Sequence, residues 1–284
     1  MLRQAITRLE QAEALDGASD KMQAVVSAAI RPRLLRDLLH GTKSGHPVHP
    51  VLVQVPLGAF LSAAVLDAIP GMQKAATTLI GFGTASVLPA AIAGWVDWSE
   101  MTKDRRRVGL VHATTNVVAT ALYASSLVAR LTGHPTRGKA LAYAGLSVAG
   151  AGGYLGGHLA YAQGGGISHA ATEVALVPEE WTEVTSLSSL PDGKPAVRKA
   201  GDVPVLLYRQ GDRVTALIER CSHEAGPLGE GEVVGSGSSA CVVCPWHGST
   251  FRLSDGLAVH GPAGNDQPVL PVRIVGGAVQ VRRP

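Results

Sequence analysis

The sequence predicts two architectures in series: a membrane α-helical bundle of four transmembrane helices, then an all-β domain of antiparallel sheets. Three observations carry this. Four apolar stretches, at 51–69, 75–96, 108–129 and 140–161, each run about 20 residues, the length that crosses a bilayer core. Beyond them the chain changes character, with short runs rich in β-branched residues at 181–187, 204–208, 214–218, 272–275 and 278–281. Composition agrees: 46% of the 284 residues are hydrophobic and only 17% charged, with 34 glycines, a balance suited to helices packed through small side chains in lipid.

Residues 1–45 form an amphipathic N-terminal helical segment carrying Arg3, Arg8, Lys21, Arg31, Arg33, Arg36 and Lys43. It opens without the apolar core of a cleavable signal. Residues 46–163 form the transmembrane domain. Its first span contains only Asp67, near its end, and the other three contain no charged residue. The fourth carries Gly152-xxx-Gly156 and Gly153-xxx-Gly157, spacings that let helices approach closely in lipid. A buried bundle in a soluble protein is the rival reading, and four consecutive spans with Arg-rich connections argue against it.

Basic loops set the orientation. The N-terminal segment and the loop with Lys103, Arg105, Arg106 and Arg107 hold eleven Lys or Arg, against four (Lys74, Arg130, Arg137 and Lys139) on the opposite face. That bias puts the N-terminus, and after four spans the C-terminal domain, on the cytoplasmic side of the cell (inner) membrane. Residues 164–176, opening with Gly164-Gly165-Gly166, read as a linker, and 177–284 as the β domain. Net charge is +6 over 1–170 and −3 over 171–284, and nothing in this balance suits nucleic acid.

Polar residues inside a span are by default a functional hypothesis. His46-Pro47-Val48-His49-Pro50 precedes the first span, and Asp97 closes the second. His112 and Asn116 lie one turn apart in the third, His158 lies near the end of the fourth, and His169 follows. Three assignments remain open. The histidines and Asp97 cap helix ends and bond one another; or His112 and His158 are axial ligands of a haem b or a metal, with His46 or His49 as alternates; or Asp97 and a histidine serve a quinone. This half resembles a family of small four-helix membrane domains of unknown function, marked by the His46–Pro50 motif and by Gly94 to Asp97. The likeness covers about 45–165 and transfers no activity.

The β domain carries the chemistry. Cys221-Ser222-His223 and Cys244-Pro245-Trp246-His247 place one thiolate and one imidazole on each of two loops. The set suits a [2Fe–2S] centre with cysteines on one iron and histidines on the other. Zinc is the alternative, although structural zinc motifs pair Cys with Cys and His with His at short spacing. The surroundings resemble the Rieske-type ferredoxins and the Rieske domains of ring-hydroxylating systems. The residues that match are Cys221 to His223 with Gly226-Pro227-Leu228, Cys244 to Phe251, Ser254-Asp255-Gly256, and Gly261-Pro262-Ala263. The resemblance implies that Cys221 and Cys244 bind the buried iron, that His223 and His247 bind the outer one, and that Gly261 to Ala263 is the proline loop covering the cluster. The paired disulfide cysteines of respiratory Rieske proteins have no counterpart here, which leaves Cys241 as a strand residue and suits a reducing compartment.

The expected function is a membrane-anchored one-electron carrier, relaying between a membrane donor (quinol or haem) and a cytoplasmic redox protein or reductase. The alternative is a redox sensor or scaffold whose membrane domain transmits the cluster state. No catalytic residue is assigned, and no stretch reads as a terminal oxygenase domain.

Overall fold

The computed structural model describes residues 2–284, and the chain divides into two units. The helical unit comprises the N-terminal stretch up to Arg31 together with Val48–Gly165. The β-rich unit comprises Pro32–Pro47 together with Gly166–Pro284. Nine helices are described: α1 Leu2–Glu10, α2 Asp16–Ala29, α3 Arg33–His40, α4 His49–Leu52, α5 Gln54–Ala68, α6 Gln73–Ser99, α7 Lys103–Leu131, α8 Pro135–Gly157 and α9 Ala171–Val174. All but α3 and α9 belong to the helical unit.

In the helical unit α5 packs against α6 and α8, and α7 packs against the same two, so the four long helices close into a bundle. Small residues set the spacing. Phe60 stacks flat on Tyr123 with ring centroids 3.6 Å apart, and a Cβ on Gly83 would lie 2.7 Å from the Phe60 ring. The charge of Asp67 is met inside the fold. Both side chains of the Asp67–Arg130 pair are almost fully buried, the contacts are bidentate at 2.8 and 2.5 Å, and Arg130 Nε also reaches Ser126 Oγ. Near the start of α7, Arg106 donates to Asp20 and Gln23, and Arg107 makes a fork onto Asp16. These arginines count towards the orientation expected from the sequence, and they also hold α2 in place.

Two helical stretches, His49–Ala68 and Gln73–Ser99, are long and apolar enough to cross a membrane. The other two long helices fall short on composition. The α7 helix carries Thr114, Thr115, Asn116, Thr120 and Ser126, and α8 is built largely from glycine and alanine, which lower its hydropathy.

The β-rich unit contains β1 Thr182–Ser186, β2 Pro195–Ala200, β3 Val203–Gln210, β4 Arg213–Ile218, β5 Glu232–Val234, β6 Cys241–Val243, β7 Thr250–Arg252, β8 Ala258–His260, β9 Val269–Leu270, β10 Val272–Val275 and β11 Ala278–Val281. They form three antiparallel sheets, ordered β1-β11-β10, β2-β3-β4-β9 and β5-β6-β7-β8. Alternation along β3 explains its place. Val205 and Leu207 face one core with Ile218, Val279 and Val281, while Leu206 and Tyr208 face another with Val242, Phe251 and the two cysteines Cys221 and Cys244. The second core positions the cysteines.

Two stretches outside the long elements pack with the β-rich unit. From Gly166 onward the residues read as a linker belong to it, with Ala170 and Val174 in the first core and Glu173 paired with Arg220. The N-terminal segment 1–45 divides between the two units. Its α3 joins the β-rich unit because Asp37, His40 and Thr42 are buried there, as described below.

Candidate metal centre

The first loop leaves β4 and turns at Ala225, the one non-glycine with positive φ (58°) among the described residues. Cys221 N–H donates to Gly226 O at 2.8 Å and Ala225 N–H to Cys221 O at 2.9 Å. The second loop joins β6 to β7, closed by Cys244 N–H to Ser249 O (2.8 Å) and Gly248 N–H to Cys244 O (3.0 Å). Each loop has a buried cysteine at its root and a half-buried histidine further on.

The two sulfurs lie within hydrogen-bonding reach of each other, and each also accepts backbone N–H groups: His223 and Glu224 onto Cys221, Trp246 and His247 onto Cys244. The Cys221 thiol donates to Cys244 and is pushed up, with burial adding to the effect. Cys244 is lowered to about 6 because its sulfur accepts that proton and the two amide hydrogens. In the metal-free pair the negative charge is therefore favoured on Cys244. The two imidazoles stand with ring centroids 5.1 Å apart and nearly perpendicular.

A glycine is required between the loops: a Cβ on Gly226 would lie 2.8 Å from Cys244 Sγ and 3.1 Å from the Trp246 ring. Among the described residues no three His, Cys, Asp or Glu side chains converge as a single ion needs. The donors come instead as a sulfur pair and an imidazole pair. That arrangement fits a two-iron centre, where each iron takes two protein ligands, better than a zinc ion that needs all four around one point.

Residues 180–271 match the family described as Rieske [2Fe-2S] domain, and residues 45–169 match the family described as Predicted membrane protein (DUF2231). The anthranilate 1,2-dioxygenase ferredoxin subunit of Burkholderia cepacia is 34% identical over 110 residues, covering 39% of this chain and 96% of the relative. The chain belongs to the Rieske family. It is a Rieske domain fused to a DUF2231 domain.

The 3-phenylpropionate/cinnamic acid dioxygenase ferredoxin subunit of Escherichia coli (strain K12) is 30% identical over 98 residues, 34% of this chain and 89% of the relative. Similarity to the dicamba O-demethylase oxygenase component of Stenotrophomonas maltophilia reaches 39% over 93 residues but only 23% of that protein. Among solved structures, the ferredoxin of carbazole 1,9a-dioxygenase from Nocardioides aromaticivorans IC177 aligns at 26% identity over 37% of this chain and 98% of its own, with a TM-score of 0.34.

Several residues that shape the Rieske site were not evident in the sequence. Gln267, 2% exposed, accepts from Ser222 N–H (2.8 Å) and donates to Ile218 O and Arg220 O (2.7 Å each), while Ser222 Oγ donates to Asn265 O. This amide braces the first loop in a domain whose three cysteines are all free. His169 N–H donates to Ser222 O, so this histidine lies against the first Rieske loop. Cys241 lies in β6 with its thiol directed at Ser239 O. Ser249 Oγ accepts from Ala263 N–H at 3.1 Å, tying the second loop to the proline loop.

The histidines of the DUF2231 domain are engaged by the protein itself. His49 Nδ1 donates to Ala90 O (2.8 Å), and its ring occupies the space left by Gly94, where a Cβ would lie 2.7 Å from the imidazole. His112 Nδ1 donates to Gly152 O (2.8 Å), its Nε2 lies 3.3 Å from the Asn116 amide, and its ring faces Gly156. His158, at the start of a π turn spanning His158–Ala162, bonds Glu10 through Nε2 at 2.8 Å. These histidines meet carbonyls and a carboxylate rather than one another, and among the described residues His49, His112 and His158 form no cluster.

Proposed function

We propose that this protein is a membrane-anchored one-electron carrier, with Cys221 and Cys244 holding one iron of a [2Fe–2S] cluster and His223 and His247 the other. The observation that carries the reading is the paired donor set: two buried sulfurs in mutual contact, each with two amide donors, and two outward imidazoles beside them. When bound, such a centre supplies one-electron redox chemistry at a potential raised by two neutral imidazoles in place of thiolates. The amides of His223, Glu224, Trp246 and His247 offset charge at the sulfurs, and burial of Cys221 and Cys244 keeps water from them. His223 and His247 offer the less buried edge, where a redox protein partner or reductase would exchange electrons; the ferredoxin subunits named above are the relatives that support such a partner.

In this reading the four long helices α5 to α8 are transmembrane, the N-terminus and the Rieske domain face the cytoplasm, and the donor is a membrane quinol. The family description, the two apolar helices and the bundle topology support the first point. Quinol is preferred to haem because His112 Nδ1 donates to Gly152 O and His158 Nε2 bonds Glu10.

The test uses full-length protein in detergent. Visible absorption and low-temperature EPR are expected to show a rhombic signal of low average g and no Soret band, and anaerobic quinol is expected to reduce the cluster. Absence of the EPR signal sinks the cluster assignment. Reduction by dithionite but not by quinol sinks the donor.

A further inference from the structure

We propose that Asp37 is a positioning residue for the cluster: its buried carboxylate fixes the Gly261-Pro262-Ala263 loop against the second cysteine–histidine loop. The proposal rests on the ligand assignment above. Asp37 lies outside both matched stretches, 45–169 and 180–271, while His260 and Gly261, which it holds, lie inside the second.

Helix α3 is inverted relative to an ordinary amphipathic helix. Leu34, Leu35 and Leu38 are exposed, whereas Asp37 and His40 are each 2% exposed. Burying a carboxylate in preference to leucine is stable only where the carboxylate has partners. Here Oδ2 accepts from His260 Nδ1 at 2.9 Å, and Oδ1 accepts from Gly261 N–H at 3.0 Å. The acceptor fixes the imidazole tautomer, with the proton on Nδ1. Past the helix end Thr42, 3% exposed, has Oγ1 3.1 Å from Gly261 O and 3.4 Å from Ala263 O. A Cβ on Gly264 would lie 2.8 Å from His40 O and 3.0 Å from Pro47 N, so the two backbones are in direct contact. The segment holds the loop at 261, 263 and 264 through main-chain atoms.

The loop passes this constraint on. A Cβ on Gly261 would meet Ser249 Cα at 2.6 Å and Gly248 O at 2.8 Å, and Ala263 N–H donates to Ser249 Oγ. Gly248 and Ser249 follow His247 directly. Because Ser249 Oγ already accepts from Ala263, its own proton remains available to donate, and the loop decides where the hydroxyl stands. Partners one shell out from metal ligands typically change affinity or activity by about 10–100-fold when removed.

The test compares full-length wild type with Asp37→Ala and Asp37→Asn, reading three quantities: bleaching of the cluster absorption under a chelator, midpoint potential, and amide hydrogen exchange over residues 258–264. Asp37→Ala is expected to speed bleaching roughly tenfold, shift the potential and raise exchange in the loop. Asp37→Asn keeps an oxygen for Gly261 N–H and should restore most of the exchange protection and, with the loop back in place, most of the potential. Wild-type values for all three in Asp37→Ala overturn the proposal. If that variant fails to fold, His260→Gln removes one partner only, and unchanged bleaching and exchange there overturn it equally. Missing cluster absorption in wild type condemns the ligand assignment instead, and loop exchange still decides whether Asp37 holds the loop.

Discussion

Replacing Gly226 by alanine tests the inter-loop geometry with a single methyl group. The added Cβ would stand 2.8 Å from Cys244 Sγ and 3.1 Å from the Trp246 ring. Carbon contacts are comfortable at about 3.5–4.0 Å, and sulfur is larger, so the overlap with Cys244 is roughly 1 Å. The two neighbours differ in their freedom to yield. Trp246 is 57% exposed and swings aside at little cost, whereas Cys244 is 2% exposed and pinned by Ser249 O and Gly248 N–H. The sulfur contact therefore decides the outcome. Overpacking of this kind costs about 1–3 kcal/mol, which is roughly a 5- to 150-fold loss in a binding equilibrium. The assay is iron and acid-labile sulfide per polypeptide after a mild chelator challenge, with Gly150→Ala, where a Cβ meets nothing within 4 Å, as the control. Wild-type cluster content and EPR in Gly226→Ala would refute the placement of the two loops.

Other perturbations separate the roles of neighbouring residues. His247→Ala is expected to abolish the normal cluster spectrum, while Cys241→Ser, altering only a thiol directed at Ser239 O, leaves visible absorption and EPR unchanged. Gln267→Ala removes the partner of Ser222 N–H and of the Ile218 and Arg220 carbonyls, at about 1–3 kcal/mol for each group left buried and unpaired; faster cluster loss and faster exchange at Ser222 are the readouts. In the helical unit, Asp67→Ala strands the Arg130 charge and is expected to destabilise by about 3–5 kcal/mol. The double variant Asp67→Leu with Arg130→Met should recover most of that, measured as thermal loss of helical circular dichroism in detergent; equal damage in both would mean that the ion pair is not what matters there.

Long, strongly patterned elements were legible in the sequence, and short or partner-dependent ones were not. The apolar stretches at 75–96 and 108–129 fall inside α6 and α7, and the runs at 272–275 and 278–281 coincide with β10 and β11. The strands β5 to β8, which frame the second loop, are three residues each, too short for alternation to register. Gln267 was invisible for another reason: a buried glutamine far along the chain carries no local pattern, and its meaning lies in the three backbone groups it meets. The α3 helix misled in a more interesting way. Its leucines mark it as amphipathic, but periodicity names only a face, and here the face that found partners is the one bearing Asp37 and His40.

The DUF2231 domain shows why its histidines need not signal a second cofactor. Its two sequence signatures meet in space, with His49 of the His46–Pro50 motif seated on Gly94, the first residue of the Gly94–Asp97 motif. His112 repeats the arrangement on Gly152 and Gly156. In both cases an imidazole donates to a carbonyl on a neighbouring helix, and a missing Cβ makes room for the ring. A polar group in an apolar bundle is costly when unpaired, so each pairing selects one register of helix against helix and penalises every other. The glycines and histidines are thus one device for fixing helix contacts. In the Rieske loops the sulfurs, their amide donors and the two imidazoles come together as a donor set of a different kind, a sulfur pair beside an imidazole pair.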